Sequence, residues 1–332
     1  MIRKEQRERL LDHLRKVDLH YVVLVVLIIS LSLIMGGKSR YFFTLTNFDV
    51  MVNNFIMEAI MALGMTMVII SGGIDISVSG VLPFIAIVFA NLLLRGIPVL
   101  LAALIAIFVS CLIGLANNWL RRVLNIHPMI VTMAMQLTLR GLNLAVTDGS
   151  VISGFSQEFQ KINQFKPLGI SISVWIYILL AFIFLIYSKQ NKMFLNIFFV
   201  GGNKEAATLS GMNTEGVLRF VYVLNAALAG LAGVLSTTVY NSASYSFGQG
   251  VEMRVITAVA IGGTSLTHGG SGSIIGTIFG TVFLALIYNA FVMSGISTYY
   301  QDVFTGLMLI LAVLLSEGAR MIKEKSVKQA SA

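Results

Sequence analysis

The sequence predicts an all-α polytopic membrane protein that crosses the bilayer about ten times. Of its 332 residues, 57% are hydrophobic and 11% are charged, whereas a typical soluble domain carries about 25% charged residues. The apolar residues gather into runs that approach the roughly 20 residues a membrane-spanning helix needs. The alternating pattern of an outer-membrane β-barrel strand is absent. These observations exclude an ordinary soluble domain.

Ten apolar segments account for the predicted spans. To within a few residues, they are 18–36, 50–70, 78–95, 97–119, 127–146, 172–188, 217–238, 251–267, 272–293 and 301–316. The segments 78–95 and 251–267 are short and bordered by glycine, so each is either a full span or a broken, re-entrant one. Residues 18–316 then form a single transmembrane domain between an amphipathic cytoplasmic tail at 1–17 and a second cytoplasmic tail at 317–332.

The basic residues indicate the topology. Most of the 23 Lys and Arg residues lie in the tails and in alternate loops, so the net charge of +8 reflects sidedness and not a nucleic-acid surface. The positive-inside rule puts both termini in the cytoplasm. The first span lacks a following small-residue cleavage site and is interpreted as uncleaved. The single cysteine, Cys111, lies in an apolar run, so no intrachain disulfide is possible.

The stretch IMALGMTMVIISGGIDISVSG at 60–80 places one acidic residue between two apolar runs. In one interpretation, Gly72 and Gly73 end a helix, and Asp75 or Ser77 caps the next. In the other, Asp75 marks a functional site, because a charge near membrane depth is costly and broken helices line the substrate path of many transporters. The two interpretations are compatible, and both stay open.

A related arrangement occurs at 261–276, IGGTSLTHGGSGSIIG, where Gly262 and Gly263 end an apolar run and a polar segment with serine follows. In the ten-span topology this run and the run before Asp75 enter from the same side. That is what a parallel internal repeat would give, and chance similarity between two glycine-rich breaks explains it equally well.

Three glycines at four-residue spacing, Gly272, Gly276 and Gly280, begin within this second glycine-rich segment. On one continuous helix they would share a face and allow another helix to approach closely. We therefore expect a helix-packing surface here.

The enzyme motifs that the sequence resembles are absent or incomplete. The phosphate-binding pattern G-x-x-x-x-G-K-[ST] is absent, so any ATP-driven work has to come from a partner. Residues 269–272 match the G-x-S-G pattern of an intramembrane serine protease, but no histidine base follows residue 268. The glycine spacing there also departs from a dinucleotide-binding loop. We predict no catalytic residue, no metal site and no cofactor in this chain.

The inside loop VGGNKEAATLSGMN at 200–213 combines good helix formers with flanking glycines. It predicts a short helix at the membrane surface. Such a helix either docks in a groove of a partner or lies at the lipid interface, and the pattern favours neither.

Several asparagines lie at predicted membrane depth. Their amides either line a path for a polar substrate or bridge neighbouring helices, which is the commoner role. They are Asn54, Asn118, Asn143, Asn225 and Asn289.

Four separated segments resemble, in order, the permease subunits of ribose-type ABC importers, in the branched-chain amino acid/ribose permease family. They are ALGMTMVIISGGIDISVSG (62–80), NIHPMIVTMAMQLTLRG (125–141), VGGNKEAATLSGMN (200–213) and ITAVAIGGTSLTHGGSGSIIGT (256–277). The resemblance covers roughly residues 45–315. Two departures are Val78-Ser79-Gly80 after the acid and Arg254 after Glu252. Glu252 and Arg254 are expected to form either a local ion contact with each other or part of the outer mouth of the transporter.

The resemblance implies a type II importer fold in the bacterial cytoplasmic (inner) membrane, with two permease copies or paralogues. It also implies cytoplasmic ATPase subunits that carry ATP and Mg, and an extracytoplasmic sugar-binding protein. The inside loop is then the ATPase-coupling helix. Its expected coupling residues are Gly201, Gly202, Asn203, Lys204, Glu205, Ala206, Ala207 and Gly211.

The function expected from the resemblance is ATP-driven import of a pentose, hexose or furanosyl relative by alternating access. The alternative is an ion- or proton-coupled secondary transporter that uses Asp75 or Glu252. The sequence leaves open which sugar is carried and whether the permease pair is a homodimer or a heterodimer.

Overall fold

The fold is described by a computed structural model for residues 19–297 and 299–330. The predicted tail at 1–17 lies outside these residues. Residues 317–330 continue the last helix, so that helix does not end at the predicted domain boundary of 316.

The described residues form thirteen α-helices and one 3-10 turn at Pro167–Gly169. Each of the ten predicted segments contains a helix. The helices are α1 (Leu19–Lys38), α2 (Leu45–Ile70), α3 (Val78–Leu94), α4 (Val99–Leu124), α5 (Pro128–Thr147), α6 (Gln157–Gln164), α7 (Ile172–Gln190), α8 (Lys192–Gly202), α9 (Lys204–Leu209), α10 (Thr214–Tyr240), α11 (Val251–Ile261), α12 (Ile274–Met293) and α13 (Tyr299–Ala330).

By length and composition, six of the described helices can cross a membrane: α1, α2, α4, α5, α10 and α12. A seventh span results if α7 and α8, which meet at a bend of 71°, count as one. Helix α3 and the apolar part of α13 are shorter. The predicted span 251–267 is broken, because its helix α11 has 11 residues and a length of about 16 Å, roughly half of the hydrocarbon core.

Helix α2 forms the centre of the bundle. All its residues from Phe55 to Ile70 are buried, as expected for a helix that is hydrophobic all round. Of its apolar window, 89% lies inside the protein, compared with 22% for α4 and for α5. The latter two helices therefore bury one face and leave the other for lipid or a partner chain.

Close helix crossings in the bundle depend on glycine. Gly276 and Gly280 of α12 face α11, where an added methyl group would lie 1.9 Å from Gly262 O and 2.1 Å from Ala258 O. Gly272 does not share this face, because α12 begins only at Ile274. The expectation of three glycines on one helix face is therefore wrong at Gly272, which instead lies against side chains of α2 and the preceding loop.

Candidate functional site

The connection between α2 and α3, residues 71–77, is called the first break. Its Asp75 is fully buried, and the Oδ1 atom accepts hydrogen bonds from Ser77 N (3.0 Å) and Ser77 Oγ (2.6 Å). The Oδ2 atom accepts from Asn225 Nδ2 of α10 at 3.0 Å. Asn117 Nδ2 of α4 donates to Ser77 Oγ at 2.9 Å. Asp75 therefore ties the break directly to α10, and Ser77 ties it to α4.

Helix α5 supports the same connection from another side. Thr132 Oγ1 accepts from Ile76 N at 3.2 Å and donates to Ile74 O at 3.4 Å. Ser77 precedes α3 without a capping bond from its side chain, whereas the bond from Ser77 N to Asp75 forms a local turn. The geometry gives α3 no side-chain N-cap bond and shows Asp75 fixing the turn and bonding α10, and the functional interpretation of Asp75 stays a prediction.

The connection between α11 and α12, residues 262–273, is called the second break. Gly263 adopts φ +88° and lies against the imidazole of His20 in α1. The His20 Nε2 atom is 2.8 Å from the carbonyl oxygen of Ile261, the last residue of α11. Thr267 hydrogen-bonds Glu317 of α13. This break is therefore held near the bundle surface by α1 and α13.

The second break meets the end of α2, just before the first break, at a cluster of backbone atoms that we call the glycine junction: Gly201, Gly202, Gly269, Gly270 and the carbonyl group of Ile70. Gly270 N donates to Ile70 O at 2.7 Å. A methyl group at Gly201 would lie 1.7 Å from Ile70 O, and one at Gly269 would lie 2.5 Å from Gly201 O. Only glycine permits this approach, so the junction joins both breaks to the end of α8.

The short helix α9 follows the junction directly. Asn203 caps it, because its Oδ1 atom accepts from Ala206 N at 2.9 Å. The predicted segment 200–213 therefore divides into the end of α8, the cap, α9 and a terminating turn at Gly211, whose φ is +81°. Ala207 is buried and Glu205 is exposed.

Two residues of the α9 region were not predicted from the sequence. Leu209 is 90% exposed and, four residues after Glu205, lies on the same side of the helix. An isolated leucine at that spacing was the available signal. Glu215 bonds Lys204 Nζ at 2.8 Å and Arg121 Nη2 at 2.6 Å, and these ion pairs fix α9 to α10 and α4.

The asparagines at predicted membrane depth lie in different surroundings. Asn289 forms a reciprocal amide pair with Asn47 at 2.8 and 3.2 Å, and it thereby links α12 to α2. Asn118 accepts from Arg121 at 3.0 Å, next to the α9 ion pairs. Asn54 is exposed on α2, and Asn143 donates to Gly80 O at 3.3 Å.

Glu252 and Arg254, both in α11, contact different helices. Arg254 Nε bonds Glu58 Oε1 of α2 at 2.6 Å, whereas Glu252 Oε1 accepts from Gln136 Nε2 of α5 at 3.2 Å. A local ion contact between Glu252 and Arg254 is therefore wrong, because residues two apart on a helix face different directions.

Comparison with known proteins gives consistent matches over most of the chain. The family described as "Branched-chain amino acid transport system / permease component" matches residues 47–313. The ribose import permease of Escherichia coli strain K12 is 34% identical over 297 residues, which are 88% of this chain and 92% of the relative. The D-allose transport system permease of the same strain is 30% identical over 296 residues, which are 89% and 90% of the two chains.

A third relative, the autoinducer 2 import system permease of Escherichia coli strain SMS-3-5, is 28% identical over 288 residues, which are 84% of this chain and 87% of the relative. No solved structure matches the chain significantly. The family match alone covers far more than half of the sequence. The chain therefore belongs to the branched-chain amino acid transport system permease family.

Proposed function

We propose that this chain is the membrane-spanning subunit of an ATP-driven ABC importer that moves a simple sugar into the cytoplasm. The observation that carries the proposal is the exposed helix α9, which is seated on a backbone junction shared by two helix breaks. The relatives named as ribose and D-allose permeases support a sugar as the cargo. The chain itself is a transport subunit, and ATP and Mg bind on a separate ATPase.

In this function, α9 is the coupling helix. Glu205 and Leu209 present one charged and one apolar side chain to a groove of the cytoplasmic ATPase, a common way of docking a short helix. Movement of α9 is passed to the end of α8, and from there to both breaks through the close approach of Gly201 to Ile70 and Gly269. The substrate path opens alternately to each side because the partners bind its two states with different affinity.

The proposed orientation follows from the position of α9. The end of the bundle that carries α9 faces the cytoplasm, and the positive-inside rule places both termini there. The opposite end then faces the sugar-binding protein. A second copy or a paralogue of this chain completes the permease pair in the inner membrane.

The rival hypothesis, a secondary transporter, would use Asp75 or Glu252 as an ion site. Both carboxylate oxygens of Asp75 accept hydrogen bonds from neighbouring side chains, an arrangement that supports a structural role. The rival would require uptake that continues without the ATPase. Affinity purification of the tagged chain from native membranes separates the two hypotheses, since only the importer brings a stoichiometric ATPase with it.

The sharpest test reverses the charge on α9. We expect Glu205→Arg to abolish uptake and ATPase co-purification while the chain remains folded in the membrane, because the exposed carboxylate faces the partner. Glu158→Arg is the matched control for ATPase co-purification, since Glu158 is an exposed acid on α6, a helix that lies outside the coupling region. Intact uptake in the Glu205 variant would overturn the coupling role of α9.

A further inference from the structure

A groove of about 400 Å³ runs along the first half of α10, the helix that follows α9. On one side, Gly114 of α4 lies against Val223, since an added methyl group there would be 2.9 Å from Val223 Cα. On the other side, the ring of Phe220 packs against Phe194 of α8, with 5.8 Å between the ring centroids. The apolar lining residues are half-buried, so the groove opens to the outside of the bundle between α4 and α8.

The chemistry of this groove changes along its length. Asn213 and Arg219 lie toward the α9 end, whereas Phe220, Val223 and Ala227 continue away from it. From Asn213 to Ala227 the distance along the helix axis is about 21 Å, at 1.5 Å per residue. One leaflet of a bilayer, headgroups included, is about 20–22 Å thick. Since α10 is long and apolar enough to cross the membrane, the groove has the length and the order of polarity of one phospholipid.

Arg219 is the charged group of the groove, and its side chain is exposed. Within the part of the chain that the structure describes, no acidic side chain pairs with it, whereas Arg121 and Lys204 both pair with Glu215. A guanidinium group presents planar N–H donors that match the oxygens of a phosphate group. Arg219 therefore provides the position for an anionic headgroup.

Asn213 supplies a second donor at the same end of the groove. Its Oδ1 atom accepts from Gly216 N at 2.9 Å, and the amide nitrogen of the same side chain remains a donor. Glycine at 216 gives this amide room, because an added methyl group would lie 2.8 Å from Asn213 Nδ2. None of the described lining residues is acidic. The polar end of the groove thus combines donors with a positive charge, which suits a phosphate and not a cation.

The adjacent end of α4 extends the positive charge. The ion pair between Arg121 and Glu215 places the last turn of α4 beside the first turn of α10. The next residue of α4, Arg122, is exposed. Basic surfaces between membrane spans on the cytoplasmic side attract anionic lipid headgroups.

We propose that the groove binds one anionic phospholipid of the cytoplasmic leaflet. Its phosphate lies at Arg219, and one acyl chain lies along Phe220, Val223 and Ala227. The choice of leaflet rests on the proposed function, because that function orients the α9 end toward the cytoplasm. The binding itself depends only on the groove and its charge.

The bound lipid has a consequence for the coupling helix. Glu215 and Arg219 are four residues apart on α10, a spacing at which opposite charges pair. An anionic headgroup holds Arg219 away from Glu215 and leaves this carboxylate to Lys204 of α9 and Arg121 of α4. The lipid therefore secures the ion pairs that fix α9 to the bundle.

The first test measures lipid binding by the full chain. Tagged protein purified in detergent is mixed with equal amounts of dioleoyl phosphatidylglycerol and dioleoyl phosphatidylcholine, and native mass spectrometry counts the lipids retained. The variants are Arg219→Gln, Arg219→Lys and Ala227→Phe, the last of which fills the apolar part of the groove. Arg95→Gln is the matched control, because Arg95 is an exposed arginine at the end of α3, in the half of the bundle opposite α9.

We expect the unmodified chain to retain phosphatidylglycerol in preference to phosphatidylcholine. Arg219→Gln should lower this preference about fivefold, which corresponds to about 1 kcal/mol for one cation near the membrane surface. Arg219→Lys should keep most of the preference because lysine retains the charge, and Arg95→Gln should keep all of it. Ala227→Phe should lower the retention of both lipids.

The second test measures transport. The unmodified chain and the Arg219→Gln variant are each assembled with the ATPase and the binding protein in phosphatidylcholine vesicles, with and without phosphatidylglycerol. ATP-dependent uptake of D-ribose and D-allose is then recorded. Phosphatidylglycerol should raise uptake by the unmodified protein several-fold, whereas the variant should respond much less.

The possible failures are distinguishable from one another. Equal preference for phosphatidylglycerol in Arg219→Gln and the unmodified chain refutes the headgroup contact. Loss of pairing between two permease chains in Ala227→Phe, with unchanged lipid retention, makes the groove a contact between copies and refutes the lipid site. If the lipid preference depends on Arg219 as expected but no ATPase co-purifies and no ATP-dependent uptake occurs, the lipid site stands and the proposed function is refuted.

Discussion

The two helix breaks share a sequence pattern but are held in different ways. In the first break, a fully buried carboxylate collects donors from Ser77 and Asn225. The second break contains no acidic residue, and it is held by one backbone bond from Gly270 to Ile70 and by the surface contacts of His20 and Thr267. The first break is therefore fixed by buried side chains, and the second mainly by backbone contact with the ends of α2 and α8.

This difference teaches what a glycine pair can and cannot specify. An apolar run that ends in Gly-Gly stops a helix in both places, since Gly72 and Gly263 adopt positive φ values of 85° and 88°. What then anchors the chain depends on the next few residues. In the first break, Asp75 bonds Asn225 of α10, and Ser77 bonds Asn117 of α4. In the second break, most polar side chains of the serine- and threonine-rich loop are partly or fully exposed.

The largest effect is expected when the side-chain hydrogen bonds of Asp75 are removed. Asp75→Ala leaves Ser77 and Asn225 with buried, unpaired donors, and each buried donor left unpaired costs about 1–3 kcal/mol. We expect the free energy of unfolding to fall by about 3–5 kcal/mol, measured by SDS titration in mixed micelles. A loss below about 1 kcal/mol would show that the first break is not held by this carboxylate.

A double-mutant cycle tests the hydrogen bond between Asp75 and Asn225 without creating a cavity at either position. Asp75→Asn and Asn225→Asp each disturb the pair, whereas the combined variant restores one amide opposite one carboxylate across 3.0 Å. We expect the double variant to be more stable than either single variant, with a coupling energy of about 1–3 kcal/mol. Simple additivity of the two single effects would contradict direct pairing.

The next largest effect is expected from a substitution in the glycine junction. Gly201→Ala forces a methyl group to within 1.7 Å of Ile70 O unless the backbone moves. Overpacking of this kind costs about 1–3 kcal/mol, so we expect less folded protein by size-exclusion chromatography. Any assembled complex should hydrolyse ATP with reduced uptake, because α8 has shifted from both breaks.

The neighbouring glycine provides the matched control. A methyl group at Gly202 would meet its nearest atom, Gly270 Cα, at 3.9 Å, which is ordinary van der Waals contact. Gly202→Ala should therefore fold and transport like the unmodified protein. Equal damage from both substitutions would mean that chain flexibility at the end of α8 matters, and not the close approach at Gly201.

Most of the fold was predictable because hydrophobic runs report helices directly. Each of the ten predicted segments contains a helix, and the short span at 251–267 was recognised as a possible break from its bordering glycines. Gly272 was misassigned because four-residue spacing assumes an unbroken helix, and the sequence does not show that α12 starts at Ile274.

The site was predictable in its parts and not in its assembly. The sequence indicated Asp75 and the α9 segment, but the contact between Gly201 and Ile70 joins residues far apart in the chain. The same limit applies to Arg254. Its ion-pair partner is Glu58 on α2 and not Glu252, which lies two residues away on the same helix. Periodicity identifies which residues share a helix face, whereas partners across helices require the packing itself.

The smallest effect is expected from the surface contact of the second break. His20→Ala removes one hydrogen bond to Ile261 O and a ring that covers Gly263, so the free energy of unfolding should fall by about 1 kcal/mol. His20→Gln retains a side-chain N–H donor and should recover part of this loss. The same SDS titration measures both variants beside Asp75→Ala. If His20→Ala were as damaging as Asp75→Ala, the second break would depend on its side-chain contact as strongly as the first, and the contrast between the two breaks would be refuted.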